Sequence, residues 1–176
     1  DVYKRQEKYI MALKSDRNEL QTDISFFMNE TATRGGVVSI STGGSGSAMD
    51  QGAALVTYTA ASGKAPLGIL LNDMVDLDLT RQHINQHKDE IQKGGKVTIL
   101  RKGYVVTSSI SCATAPVAGE PAFITFSGNI ANSGTITDHS GTANTPIGIF
   151  LSSKDEDDYA KIEVDLPGTP ARVRNP

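Results

Sequence analysis

The chain has 176 residues, with 17 Lys and Arg against 20 Asp and Glu, a net charge of −3, one Cys and no Trp. The lone Cys112 excludes a disulfide framework or a multi-cysteine metal site within one chain. The mildly acidic balance argues against a sequence-independent nucleic-acid binder, which needs clustered Lys and Arg to displace phosphate counterions. No apolar run approaches the roughly 20 residues of a membrane-spanning helix, so neither a membrane nor a nucleic-acid partner is expected. Val, Ile and Thr together number 41 against 11 Leu, and β-branched side chains pack best on pleated surfaces. With Gly falling between the apolar runs, the composition predicts an all-β sandwich or barrel of many short strands, and a compact barrel or tulip-like domain is the expected fold.

Residues 1–10 differ in character from the rest and are set aside as a non-native or disordered leader, with Met11 as the expected start. Residues 11–36 read as an N-terminal arm. Asp16 followed by Glu19 resembles a helix start, and Leu20, Ile24, Phe27 and Met28 fall at helical spacing, so a short helix or an extended docking arm is expected. Phe26, Phe27 and Met28 form its densest apolar cluster, and Gly35-Gly36 closes it.

Residues 37–166 carry the strand signals. Val37–Ser41 and Ala53–Thr59 flank the turn TGGSGS; Pro66–Leu71 reads as a buried strand, and Val75–Leu79 alternates apolar residues with Asp76 and Asp78. The polar stretch Thr80–Lys93 predicts a loop or short surface helix. Lys96–Leu100 and Tyr104–Ile110 flank Arg101-Lys102-Gly103, a hairpin signature. Phe123–Phe126, Thr135–Thr137, Pro146–Leu151 and Lys161–Leu166 complete the predicted strands. Residues 167–176 are proline-rich and expected to be poorly ordered.

Two of these segments repeat. PLGILL at Pro66–Leu71 and PIGIFL at Pro146–Leu151 begin 80 residues apart, and a Lys-led strand follows each, KVTIL at Lys96 and KIEVDL at Lys161. Pro66 and Pro146 cannot donate to a ladder and so should open their strands. Gly68 and Gly148 should permit close approach of a neighbour. The apolar residues that follow should face a core on both sides.

Chemistry is sparse. His83 and His87 stand four residues apart and would share one helical face, with Asp89 and Glu90 close behind, but the glutamate beside the first histidine of a zinc protease is missing. His139 stands alone. Asp73, Asp76 and Asp78 lack the ligand spacing and central Gly of a calcium loop. TGGSGS lacks the Gly-Lys-Ser/Thr ending of a phosphate loop, and no Gly-x-Ser-x-Gly elbow supports a catalytic serine. Cys112 reads as a small buried apolar residue, and Asp155–Asp158 as a solvated loop tip. No catalytic residue, metal or cofactor is expected.

An arm ending in Gly-Gly, KAPLGILLNDMVDLDLTRQ, GGKVTILRKGYVVTS, TPIGIFLSS and a closing KIEVDLP occur in that order. Over about Gly52 to Leu166 this order resembles the capsid decoration, or cement, proteins of tailed double-stranded-DNA bacteriophages. The resemblance implies a small, often trimeric β domain on the outer capsid surface, assembled in the bacterial cytoplasm. Its partner would be the major capsid protein of the same phage, and its role to stabilise contacts between capsid subunits. The arm, through Leu20, Ile24, Phe26, Phe27 and Met28, would be the capsid-binding element. A tail, baseplate or fibre component is the alternative reading.

Overall fold

The computed structural model describes residues 12–42, 54–58, 66–73, 77–78, 83–84, 89–133 and 145–166. Strands make up 56% of these residues and none is helical, as the β-branched composition predicts. In chain order the strands are β1 (Asn18–Met28), β2 (Ala32–Thr33), β3 (Val37–Thr42), β4 (Leu55–Thr57), β5 (Pro66–Asp73), β6 (Leu77–Asp78), β7 (His83–Ile84), β8 (Glu90–Ile91), β9 (Lys96–Thr107), β10 (Pro121–Ile124), β11 (Ile130–Ala131), β12 (Pro146–Phe150) and β13 (Ala160–Asp165). Nine of them form one sheet in the order β1-β4-β3-β5-β9-β13-β12-β10-β11. β1 also pairs with β9, so five strands close a hydrogen-bonded ring. Two short ladders, β2-β8 and β6-β7, lie outside it.

Two expectations are corrected here. First, the short helix expected within residues 11–36 is not formed: Asn18–Met28 is β1, which runs antiparallel along β9 from Asn18↔Tyr104 to Phe27↔Lys96. Register shifts at Glu19/Gln21, Gln21/Thr22 and Asp23/Phe26 interrupt its two-residue alternation, and an interrupted strand pattern mimics helical spacing. Asp23 organises the last of these, its Oδ1 accepting the Ser25 N–H at 2.8 Å. Second, no hairpin forms at Arg101-Lys102-Gly103, because β9 continues through it as one 12-residue strand. Gly103 serves a close approach instead: a Cβ there would lie 1.9 Å from the Asn18 carbonyl oxygen of β1. TGGSGS from Gly43 onward, Thr135–Thr137, His87, His139, Asp76, residues 1–11 and residues 167–176 lie outside the described residues.

The sequence repeat proves to be a repeat of topology. The unit β4-β3-β5-β9 is followed in the sheet by its reversed counterpart β13-β12-β10-β11. Val38 pairs with Gly68 and Ser39 with Pro66; in the second unit Ala122 pairs with Gly148 and Phe123 with Pro146, with the same one-residue shift. The hydrogen bonds match as well. Gly35 N–H donates to Leu70 C=O at 2.9 Å and Gly119 N–H to Phe150 C=O at 2.7 Å; Leu70 N–H donates to Gly36 C=O at 2.9 Å and Phe150 N–H to Glu120 C=O at 2.8 Å. Each proline opens its strand. Each glycine admits the next strand, since a Cβ would stand 2.2 Å from Leu100 O at Gly68 and 1.8 Å from Glu163 O at Gly148. The matched lysines are not equivalent, however. Ile69 faces Leu100 and Ile149 faces Glu163, so the unit aligns Leu100 with Glu163, two residues away from the Lys96/Lys161 match.

Two cores result. Met28, Val38, Val56, Leu67, Leu70, Val97 and Ile99, one or two from every strand of the ring, fill its interior with Ile91. The other wall of β3, β5 and β9 offers Val37, Ile69, Leu71 and Leu100 to a second core. There they meet Ala122, Ile124, Ile130, Ile147, Phe150, Ile162 and Val164 of the second unit. The middle of the first unit, at β5, is therefore buried on both faces, which accounts for the unbroken apolar run from Pro66 to Leu71.

Candidate binding surface

The five apolar residues of β1 divide by exposure. Leu20 is 66% and Ile24 44% exposed, whereas Met28 is fully buried in the ring interior. Phe26 packs partly buried against that core. Phe27 is half-buried, with Lys96 Nζ 5.9 Å from its ring centre. Interrupted alternation thus sends the end of β1 inward and leaves its first half at the surface.

Polar contacts to distant strands hold the segment ahead of β1. Asp89 Oδ2 accepts the Ala12 N–H at 2.6 Å, while its Oδ1 accepts Arg34 Nε at 2.6 Å. Both side chains of that ion pair are mostly buried, at 22% and 13% exposed. Leu13 is buried beside the second core. Lys14 Nζ donates to Asp155 Oδ2 at 2.7 Å and stands 4.2 Å from the Tyr159 ring centre. That hydrogen bond is the main reason the Asp155 carboxyl is held below, and the Lys14 ammonium above, its ordinary range. Asp16 meets Lys161 at 3.3 Å and Arg17 meets Glu19 at 2.8 Å.

The acidic run is a built turn as well as a loop tip. Asp155 Oδ1 accepts the N–H groups of Asp157 at 3.0 Å and Tyr159 at 2.8 Å, and Asp158 takes φ 65°. Cys112 is partly buried against the second core, and burial pushes its thiol pKa up, which suits a packing role. Among the described residues, no three His, Cys, Asp or Glu side chains gather in a group able to hold a metal ion. The Asn29 side chain donates to Ser41 Oγ at 3.1 Å.

The repeat residues also divide. Pro66 and Gly68 are buried, while Pro146 is exposed and Gly148 half-buried. The apolar residues after Gly68 are fully buried. After Gly148 only Phe150 is, with Ile149 40% and Leu151 36% exposed, which corrects the expectation of a core on both sides of each repeat strand. In the second unit one face covers the second core and the other is open. Across that open face Pro121 pairs with Ile149, Ile149 with Glu163, Glu163 with Tyr104, and Tyr104 with Asn18 of β1.

Sequence reasoning placed Asp89 only beside the His83/His87 pair, in a stretch read as a loop or short surface helix. Its partners are 55 and 77 residues away, and no local signal marks such a contact. It passed over Tyr58, whose hydroxyl accepts the Gly36 N–H at 3.2 Å and donates to the Thr33 carbonyl. A family model described as structural cement protein (E217 gp24/Pam3 gp6) matches residues 17–165, from the residue before β1 to the end of β13. No curated protein matches the chain.

Proposed function

Because the chain belongs to the structural cement protein family, we propose that it lies on the outer surface of a phage head and ties neighbouring major capsid subunits together. A phage structural protein that stabilises the capsid is what the family match establishes, and it covers nearly all of the described fold. That match is the observation that carries the finer reading.

On this proposal the chain acts as a homotrimer without catalysis. Each copy offers the first half of β1, with Leu20 and Ile24 as exposed anchors. Phe26 and Phe27 support them from half-buried positions, and Met28 fixes the strand to the ring. Three modest contacts on one particle suffice for retention, since a short tether places the second and third at about millimolar effective concentration. Deleting residues up to Arg34 would remove a ring strand, so paired substitution of Leu20 and Ile24 by Ser is the cleaner probe of this contact.

The experiment is to mix the purified chain with heads of its phage that lack it, sediment the heads, and count bound copies by mass spectrometry. Saturable binding at many copies per head, with heads surviving heating better, is expected. A chain that stays in the supernatant, or that partitions with tails in few copies, overturns the reading in favour of a tail, baseplate or fibre role.

A further inference from the structure

The two repeat units give equivalent residues different surroundings. Ile69 and Leu71 of β5 correspond to Ile149 of β12 and Leu151 just after it, and Val37 corresponds to Pro121 by pairing. In the first unit all three are fully buried, under the sheet face of the second unit. In the second unit Ile149 and Leu151 are 40% and 36% exposed, and Pro121 is exposed too. Ile and Leu nevertheless occupy both positions in both units. The open face therefore keeps the residue types of a covered one, where solvent alone would favour the polar alternation of a one-sided sheet.

The charges on this face indicate what would cover it. Lys161 is committed to Asp16 at 3.3 Å and stands 4.0 Å from the Tyr104 ring centre. Lys102 lies 3.9 Å from Asp165. Glu163, directly opposite Ile149 in the cross-strand row, is exposed and has no ion-pair partner among the described residues. Covering the face with a second copy of itself would bring further committed lysines and a second Glu163, leaving both carboxylates desolvated without a cation. A complementary occupant presents aliphatic side chains with one Lys or Arg opposite Glu163.

We infer that the outer face of β10, β12 and β13, centred on Ile149, Leu151 and Glu163, is a docking face for the major capsid subunit, which meets it with an aliphatic patch bearing one basic residue. This rests on the cement reading above and adds a second contact to the β1 anchors. The row reaches β1 itself at Asn18, two residues from Leu20.

The test uses the full chain and heads of its phage lacking it, with three variants: Ile149→Ser combined with Leu151→Ser, Glu163→Lys, and Ile40→Ser. Ile40 is a control of similar exposure, 37%, in the first unit. Central anchors of an interface dominate its affinity, so the double variant should bind about tenfold more weakly or worse, while Ile40→Ser binds as the parent does. Glu163→Lys places like charges together and should weaken binding and reverse its salt dependence. Thermal unfolding checks that each variant is folded; since Glu163 points to solvent, its variant decides the matter if the double variant is unstable. If the parent chain fails to bind heads, the cement reading itself falls. If the parent binds and both face variants bind equally well, this inference is overturned and the cement reading stands. If the variants instead change the sedimentation of the free chain, the face covers a second copy and the inference is again overturned.

Discussion

Gly148→Ala should be among the most damaging single-methyl additions in this chain. The added Cβ would lie 1.8 Å from the Glu163 carbonyl oxygen, 2.9 Å from its carbonyl carbon and 3.1 Å from the Val164 Cα. All three are backbone atoms of β13, so no rotamer change relieves the clash. Retreat even to 3.0 Å moves β12 by about 1.2 Å, which breaks the ladder at Gly148↔Val164 and Ile149↔Glu163. Overpacking of this kind costs roughly 1–3 kcal/mol, and each ladder bond lost adds about 1 kcal/mol, so about 3 kcal/mol is expected. With a urea slope of about 2 kcal/mol per molar, the unfolding midpoint should fall by about 1.5 M. Gly94→Ala is the internal comparison. Gly94 has φ +83° and nothing within 4 Å of a Cβ, so its cost is the left-handed backbone alone, about 1 kcal/mol and about 0.5 M of urea. Gly68→Ala, facing Leu100 O at 2.2 Å, should behave like Gly148→Ala. A midpoint for Gly148→Ala at or above that of Gly94→Ala would refute the argument that the repeat glycines exist for close strand approach.

Asp89→Ala should cost about 2 kcal/mol, because it leaves a mostly buried Arg34 unpaired, and it should expose the bond after Lys14 to trypsin sooner than in the parent, as followed by gel. Ser39→Ala should be neutral or stabilising by up to about 1 kcal/mol in urea unfolding, since the buried Ser39 hydroxyl has no partner among the described residues. Asp155 has its pKa lowered by folding, so its contribution is present above the unfolded carboxylate range near pH 4 and is lost as pH falls through the lower folded value. In Asp155→Asn, which keeps an oxygen for the Tyr159 N–H but not the Lys14 link, urea midpoints should fall less steeply below pH 4 than in the parent.

The strands that the sequence announces are those whose burial follows a simple rule. β5 is apolar from Pro66 to Leu71 because both faces are covered there, and β13 alternates because one face is open. Both can be read from their residues. β1 cannot, since its three register shifts scramble the two-residue period, and β11 is two residues long with no pattern to detect. The Arg101-Lys102-Gly103 signal misleads for a related reason. A glycine that admits a neighbouring backbone looks the same in sequence as one that turns a chain, and only the partner strand, some 80 residues earlier, tells them apart. The repeat was legible as Pro-x-Gly because a proline opening and a close approach both demand specific residues. Its offset along β9 and β13 was not, since lysines on exposed strand ends are interchangeable. The candidate surface was legible only as exposed apolar residues on β1. Ile149 and Leu151 read as core, because their counterparts Ile69 and Leu71 are core.

The ends of the main sheet give this difference its significance. At one end β1 closes onto β9. At the other, Ser109 C=O and Ser111 N–H bond to Ile130 of β11 at 2.9 and 2.8 Å, with Ile110 bridging to it, so the last strand is covered by the chain itself. An open edge of unpaired N–H and C=O groups is the usual route by which concentrated β proteins add strands to one another. With both ends of the main sheet occupied among the described residues, a partner of that sheet approaches through faces and side chains. The first unit's faces are filled, one by the ring interior and one by the second unit. Among the described residues, the outer face of β10, β12 and β13 stays open, with the exposed half of β1 along its flank. On the proposed reading, a protein that stands at high local density beside copies of itself and binds a lattice gains from this arrangement, since strand addition at the two ends of the main sheet is closed while an aliphatic face remains open.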